Sequence, residues 1–184
     1  MKSPGSILLC VVGALFIQNV AVAADLAVGD PAPDFELQGS DGKTYHLADF
    51  KDHQAVVLAW FPKAFTGGCT IECKSLADDG DLIEKYDVTY FMASVDDVEG
   101  DKGNKAFATA HKARFPILSD PTKATAKAYG VLALQGYSNR WTFYIRKDGK
   151  IAYIDKDVSK RLATSAPDMA KKLGELGVPL KKAP

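Results

Sequence analysis

Two nearly continuous apolar runs constrain this chain more than anything else in it: Ala55-Val56-Val57-Leu58-Ala59-Trp60-Phe61 and Val88-Thr89-Tyr90-Phe91-Met92-Ala93-Ser94-Val95, with helical spacing over residues 70–86 between them. A strand with one wet face alternates apolar and polar side chains, whereas a strand packed on both faces does not. Runs of this kind belong in the middle of a sheet covered above and below. The chain is therefore expected to be α/β, with helices supplying the covering layers.

The remaining segments provide those layers. Gly29-Asp30-Pro31-Ala32-Pro33 is irregular, Phe35-Glu36-Leu37 alternates, Asp41-Gly42 turns, and residues 44–46 return, which reads as an N-terminal β-hairpin. After the second apolar run come a helical stretch over 104–113, the short segment Phe115-Pro116-Ile117-Leu118, and a helix across 123–129. Arg140-Trp141-Thr142-Phe143-Tyr144-Ile145 and Ile151-Ala152-Tyr153-Ile154 flank Lys147-Asp148-Gly149-Lys150, a strong hairpin signal, and a last helix covers about 166–176. Strand, helix, strand, then a hairpin and a closing helix describe a thioredoxin-like fold: a central mixed β-sheet flanked by helices, preceded by the small hairpin.

Charge and the amino terminus bound what the protein can do. Lysine and arginine number 23 and acidic residues also number 23, which leaves no positive surplus for a nucleic-acid backbone. Lys2 precedes an apolar run over residues 7–17, Gln18 and Asn19 interrupt it, and Ala21-Val22-Ala23 puts small residues where a signal peptidase reads. That run falls short of the ~20 residues needed to span a bilayer. The expectation is a signal peptide over 1–23, cleaved after Ala23 with Ala24 as the alternative, and a single domain over 24–184. The mature protein would then be periplasmic or secreted, with no stable membrane insertion. Cleavage removes Cys10 and leaves Cys69 and Cys73 as the only thiols in an oxidising space.

Those two cysteines lie in Phe61-Pro62-Lys63-Ala64-Phe65-Thr66-Gly67-Gly68-Cys69-Thr70-Ile71-Glu72-Cys73. A buried strand ends near Pro62, a loop follows, and Cys69 falls in the first turn of the next helix, close to free backbone amides and the positive end of the macrodipole. Such a position favours a thiolate over a thiol. Gly67 and Gly68, lacking Cβ atoms, let the loop amides turn toward the sulfur and let a small ligand approach the backbone. Plainer readings exist beside these: Thr66 as a helix cap, Pro62 as a strand end, Trp60 and Trp141 as core or wall, His111 as a surface residue.

The segment resembles the peroxiredoxins, whose pattern Pro-x-x-x-Thr-x-x-Cys is matched by Pro62, Thr66 and Cys69. The resemblance continues in Val28-Gly29-Asp30-Pro31-Ala32-Pro33-Asp34-Phe35, Ser94-Val95-Asp96, Phe115-Pro116-Ile117-Leu118-Ser119-Asp120, Ala128-Tyr129-Gly130-Val131 and Arg140-x-Thr142-Phe143. It implies a thiol-dependent peroxidase without cofactor or metal, acting on hydrogen peroxide and organic hydroperoxides. Cys69 would be the peroxidatic nucleophile, oxidised to a sulfenic acid. Thr66 would position the peroxide, Pro62 would shield the sulfur, Arg140 would stabilise thiolate and breaking O–O bond, and Glu72 would orient that arginine.

Cys73 would be the resolving cysteine, forming an intramolecular disulfide that a thioredoxin-like reductant reopens. Side chains one helical turn apart have Cβ atoms ~5–6 Å apart, beyond the ~3.5–4.5 Å of a disulfide, so the first turn must unwind for the bond to close. The chain most resembles the bacterioferritin-comigratory or Q-type members, in which the resolving cysteine commonly lies one position further on and proline often follows the motif threonine, where this chain has Gly67. A monomer or weak dimer is expected, and the absence of a cysteine near the carboxyl terminus argues against resolution from a partner subunit. Two other readings fit parts of the pattern. Copper proteins of the Sco type carry Cys-x-x-x-Cys in a similar loop with a distant third histidine ligand, but His46, His53 and His111 are the chain's histidines and none follows His111. Thiol–disulfide oxidoreductases of the thioredoxin type use the shorter Cys-x-x-Cys.

Overall fold

The computed structural model describes residues 25–182, so the expected signal peptide lies outside the described residues. The first apolar run forms β3 (Ala55–Trp60) and the second β4 (Val88–Ser94), following the hairpin β1 (Glu36–Gly39) and β2 (Thr44–His46). β5 (Ile117–Ser119), β6 (Thr142–Ile145) and β7 (Ile151–Asp155) complete a seven-stranded sheet of order β2-β1-β5-β4-β3-β6-β7. β3, β4 and β5 run parallel to one another while β6 pairs antiparallel with β3, so the sheet is mixed as expected.

The unbroken apolar runs have a simple cause. Val57, Ala59 and Phe61 point into one buried cluster, and Val56, Leu58 and Trp60 into another on the opposite face. The first is closed by α1 (Gly67–Asp78), α2 (Asp81–Glu84), α3 (Asn104–Ala110) and α5 (Ser165–Glu175). The second is closed by the N-terminal segments and by α4 (Ala124–Ala128) with Tyr129. Every residue of β3 is buried because every one faces a layer.

Several boundaries differ from the sequence expectation, among them the helix read over 104–113, which ends at Ala110. The helix read over 70–86 breaks at Asp79, and a Cβ at Gly80 would stand 2.6 Å from Tyr90 Oη and 2.7 Å from the Leu76 carbonyl. Only glycine lets the chain pass Tyr90 there. The strand read from Phe115 begins at Ile117, and the strand read from Arg140 begins at Thr142. Ahead of it, Ser138 Oγ donates to the Phe61 carbonyl at 2.6 Å and the Trp60 amide donates to the Trp141 carbonyl at 2.9 Å. These bonds tie the approach to β6 to the end of β3. Since Ala59 pairs with Thr142 in antiparallel register, Arg140 arrives beside the loop that leaves β3.

Candidate active site

The loop between β3 and α1 is held by groups outside it. Asp96, just past β4, accepts a hydrogen bond from the Ala64 amide at 2.8 Å and another from Ser94 Oγ at 3.0 Å. Asn104, fully buried at the start of α3, donates to Ser94 Oγ, to the Leu118 carbonyl and to Ser119 Oγ at 2.8–3.1 Å. A buried amide satisfied this way locks β4, β5 and α3 together under the loop. Phe65 takes a left-handed backbone (φ 61°) and lays its half-exposed ring edge-on to Phe107 at 5.2 Å. The turn that delivers the chain to α1 is thus strained at one residue and pinned at its neighbours.

α1 starts at Gly67, so Cys69 stands in its first turn, as expected. Its sulfur is fully buried and accepts a hydrogen bond from Arg140 Nη2 at 3.0 Å. Arg140 Nη1 donates to Glu72 Oε2, one turn further along the same helix. The structure therefore brings Cys69, Glu72 and Arg140 into one buried cluster, with Arg140 and Glu72 side chains only 8% and 1% exposed. Burial raises the Glu72 carboxyl to about 7, against the opposing pull of the Arg140 charge and hydrogen bond. For Arg140, burial works against its charge, but the acids at Glu72 and Cys69 outweigh that and hold it above the ordinary arginine range.

Cys73 is the next turn of α1 and equally buried, with a free thiol. Burial first, and then the negative charges of Glu72 and Cys69, push that thiol up to about 12. Thr66 occupies the N-cap position, but its hydroxyl donates to the Lys63 carbonyl at 2.9 Å and makes no cap hydrogen bond to the helix. Pro62 is half-buried at the start of the loop. Trp60 is core, and Trp141 is a half-buried wall with Lys156 Nζ 4.1 Å from its ring centre. His111 is half-buried, its ring 4.8 Å from Phe107.

The two glycines are not equivalent. A Cβ at Gly68 would stand 3.4 Å from Arg140 Nη2 and 3.3 Å from Leu162 Cδ1, whereas one at Gly67 would meet nothing within 4 Å. Gly68 is therefore the glycine whose missing side chain leaves room for Arg140. Gly68→Ala should press on the guanidinium and slow oxidation of the site thiol by roughly 3–10-fold, while Gly67→Ala should stay within about twofold. Stopped-flow rates with hydrogen peroxide measure both; equal effects would disprove the distinction.

The sequence pattern assigns no role to Asp96, Asn104 or Ser138, nor to the ion pair Arg161–Asp155, 2.7 Å apart, which shares a small cavity with Glu72. Asp96 stood in a family-like segment, which was a signal without a mechanism. Asn104 and Ser138 looked like ordinary loop and helix residues, and only the fold buries them.

The profile of the AhpC/TSA family matches residues 28–154, and the chain belongs to that family. Among curated proteins it is 32% identical over 139 residues to peroxiredoxin Bcp of Escherichia coli (strain K12), covering 72% of this chain and 86% of that one. It is 35% identical over 133 residues to alkyl hydroperoxide reductase E of Mycobacterium tuberculosis, covering 71% and 85%. Among solved structures, peroxidoxin BcpB of M. tuberculosis superposes with a TM-score of 0.68 at 28% identity, covering 82% of this chain and 96% of that one. A PrxQ mutant of Xylella fastidiosa shares the fold, with a TM-score of 0.74 at 23% identity over 84% and 99%. Within the family the chain is a peroxiredoxin of the Bcp type, a thiol-dependent peroxidase with a thioredoxin-like fold. The Sco-type and thioredoxin-type readings find no support among these relatives.

Proposed function

We propose that Cys69 is the peroxidatic nucleophile of this peroxidase, and that it attacks hydrogen peroxide and organic hydroperoxides to give a sulfenic acid and water or an alcohol. The observation that carries this is the Arg140 Nη2 contact to the buried Cys69 sulfur at 3.0 Å. A fixed guanidinium there favours the anionic sulfur and meets the charge that grows on the breaking O–O bond without reorganising. Glu72 orients Arg140 by holding its other nitrogen. Pro62 keeps water from the sulfur, and Thr66 hydrogen-bonds the peroxide once its hydroxyl turns from the Lys63 carbonyl.

Cys73 then resolves the sulfenic acid. Its thiol is suppressed while α1 is intact, chiefly by burial, and unwinding the first turn removes that suppression while bringing the sulfurs together. A five-residue loop stabilises a static disulfide by only about 2 kcal/mol, so the bond is better suited to switching than to stapling. A hydroperoxide substrate and a thioredoxin-type reductant go with the family; acceptance of organic hydroperoxides is supported by the likeness to the mycobacterial alkyl hydroperoxide reductase. The protein works outside the cytoplasm, after removal of residues 1–23, as a monomer or weak dimer. Export is supported by the leader-like sequence over residues 1–23.

One equivalent of hydrogen peroxide followed by dimedone should label Cys69 in the Cys73→Ser protein, and an intramolecular disulfide should form in the wild type. A wild-type protein that accumulates the dimedone adduct and never forms the disulfide removes Cys73 from the resolving role.

A further inference from the structure

Arg140 is a single cation between two buried acids. One of its nitrogens holds the Cys69 sulfur and another the Glu72 carboxyl, and both acids are cut off from solvent. With both ionised the cluster would carry a net negative charge in a place where little water can answer it, which is costly. One guanidinium neutralises one of them. The next cation, Arg161, is already held between Asp155 at 2.7 Å and Asp168 at 3.0 Å. It brings two carboxylates of its own. The other titratable groups facing Glu72, Cys73 on α1 and Tyr144 on β6, add no positive charge.

Resting on the reading of Cys69 as peroxidatic nucleophile, we propose that Glu72 is the charge-balancing proton donor of the peroxide step, the negative charge beside Arg140 passing from the sulfur to the carboxylate as Cys69 is oxidised. The step balances. The sulfur loses two electrons as its bond to the distal hydroxyl oxygen forms; the O–O bond breaks, and the leaving oxygen carries the pair away and takes up one proton. Before the step the cluster holds a guanidinium, a thiolate and a neutral carboxyl. Afterwards it holds a guanidinium, a sulfenic acid and a carboxylate. It is neutral at both ends, and the proton lost by Glu72 offsets the one gained by the alkoxide or hydroxide.

Two further observations support this. Glu72 backs onto a cavity of about 10 Å³ lined in part by Thr142, Asp155, Arg161, Ser165 and Asp168. That is about the space of one water, with polar partners leading toward the surface. Burial also holds the carboxyl near 7 against the pull of Arg140, so in slightly acid solution the reduced protein keeps it neutral. Once the sulfur has lost its charge, Arg140 has only the carboxylate to answer and Glu72 becomes the stronger acid. Glu72 is thus a positioning residue that acts through Arg140 and does not touch the peroxide: its proton leaves to solvent by this polar cavity while the leaving oxygen takes one from solvent, so the two cancel.

Proton stoichiometry tests this in a way that a merely structural role would not move. The protein, in a Cys73→Ser background so that no disulfide step follows, is mixed near pH 6 with one equivalent of hydrogen peroxide in weak buffer with a pH indicator. The ultraviolet absorbance of the thiolate is followed in parallel against Cys69→Ser. With Glu72 present, thiolate should disappear with about zero protons taken from solution; with Glu72→Gln added, about one proton should be taken up per peroxide. Near pH 9, where Glu72 is ionised beforehand, uptake with Glu72 present should rise to about one, which tests the proposal even if Glu72→Gln does not fold. Uptake of one proton near pH 6 with Glu72 present, no uptake by Glu72→Gln with thiolate seen, or no rise near pH 9 would each overturn it. So would a protein that oxidises near pH 6 without any thiolate signal, since the charge would then sit on the carboxylate from the start. A Cys69 that is not oxidised at all refutes the peroxidatic reading instead.

Discussion

Cys69→Ser is expected to abolish the fast phase of oxidation by hydrogen peroxide, slowing it by at least about 10³-fold, while Cys73→Ser leaves that phase within about threefold of the wild type. The two thiols sit one turn apart on the same helix and are equally buried, so neither exposure nor spacing predicts such a contrast. The electrostatics do. Cys69 has a guanidinium on its sulfur at 3.0 Å; Cys73 has no cation and is held up to about 12 by burial and by the charges of Glu72 and Cys69. A thiol at that value is ionised in only about one molecule in 10⁵ at neutral pH, against about 3% for an ordinary cysteine. Cys73→Ser should still fail over many cycles. Without a resolving thiol the sulfenic acid persists, goes on to sulfinic acid with excess peroxide, and a thioredoxin-type reductant finds no disulfide to open. Stopped-flow fluorescence gives the first rate, and intact mass after repeated peroxide additions gives the second. Loss of the fast phase in Cys73→Ser to the same degree as in Cys69→Ser would exchange the roles or merge them.

The sequence carried the strands and the chemistry further than the boundaries. β3 and β4 were legible because burial on both faces leaves no polar residue to confuse the pattern, and the β6–β7 hairpin because Asp148-Gly149 requires a turn and Gly149 takes a positive φ of 78°. The break after Asp78 was not legible. It falls where Asp79 leaves the helical backbone region (φ −111°, ψ 17°), and helical periodicity runs straight through such a point. At the site, Cys69 at a helix start followed from local pattern alone, whereas Arg140 beside it came only by family likeness, since residues so far apart in the chain are joined by the β3–β6 register. Thr66 shows the limit of local rules: its type and position predict a cap, yet the strained turn at Phe65 directs its hydroxyl back to Lys63. Long-range polar anchors such as Asn104 and Asp96 have no sequence period at all, and only tertiary burial gives them a function.

Arg140→Lys should lower the rate of the first oxidation by about 10²–10³-fold, a loss of about 3–4 kcal/mol of transition-state stabilisation. The charge is kept, so the effect isolates geometry. Arg140 reaches the sulfur with one nitrogen and Glu72 with another, and a lysine ammonium on a flexible stem cannot hold both positions at once. Arg140→Gln, which also removes the charge, should be slower still, and it makes a second, separable prediction about stability. The Glu72 carboxyl, already raised above its unfolded value by burial, loses the cation that was pulling it down and rises further. A carboxyl that binds its proton more tightly folded than unfolded makes the native state lose stability as pH climbs from the unfolded value through the folded one. Arg140→Gln should therefore be close to the wild type in denaturant midpoint near pH 5, where Glu72 is neutral in both. It should fall behind by roughly 3 kcal/mol near pH 9, where an unpaired carboxylate must be buried or the fold opened. Adding Glu72→Gln should restore the stability near pH 9 without restoring the rate, because the buried charge is gone while the sulfur still lacks its guanidinium. Recovery of both together would mean that Arg140 serves the fold alone and that the reactivity of Cys69 has another source.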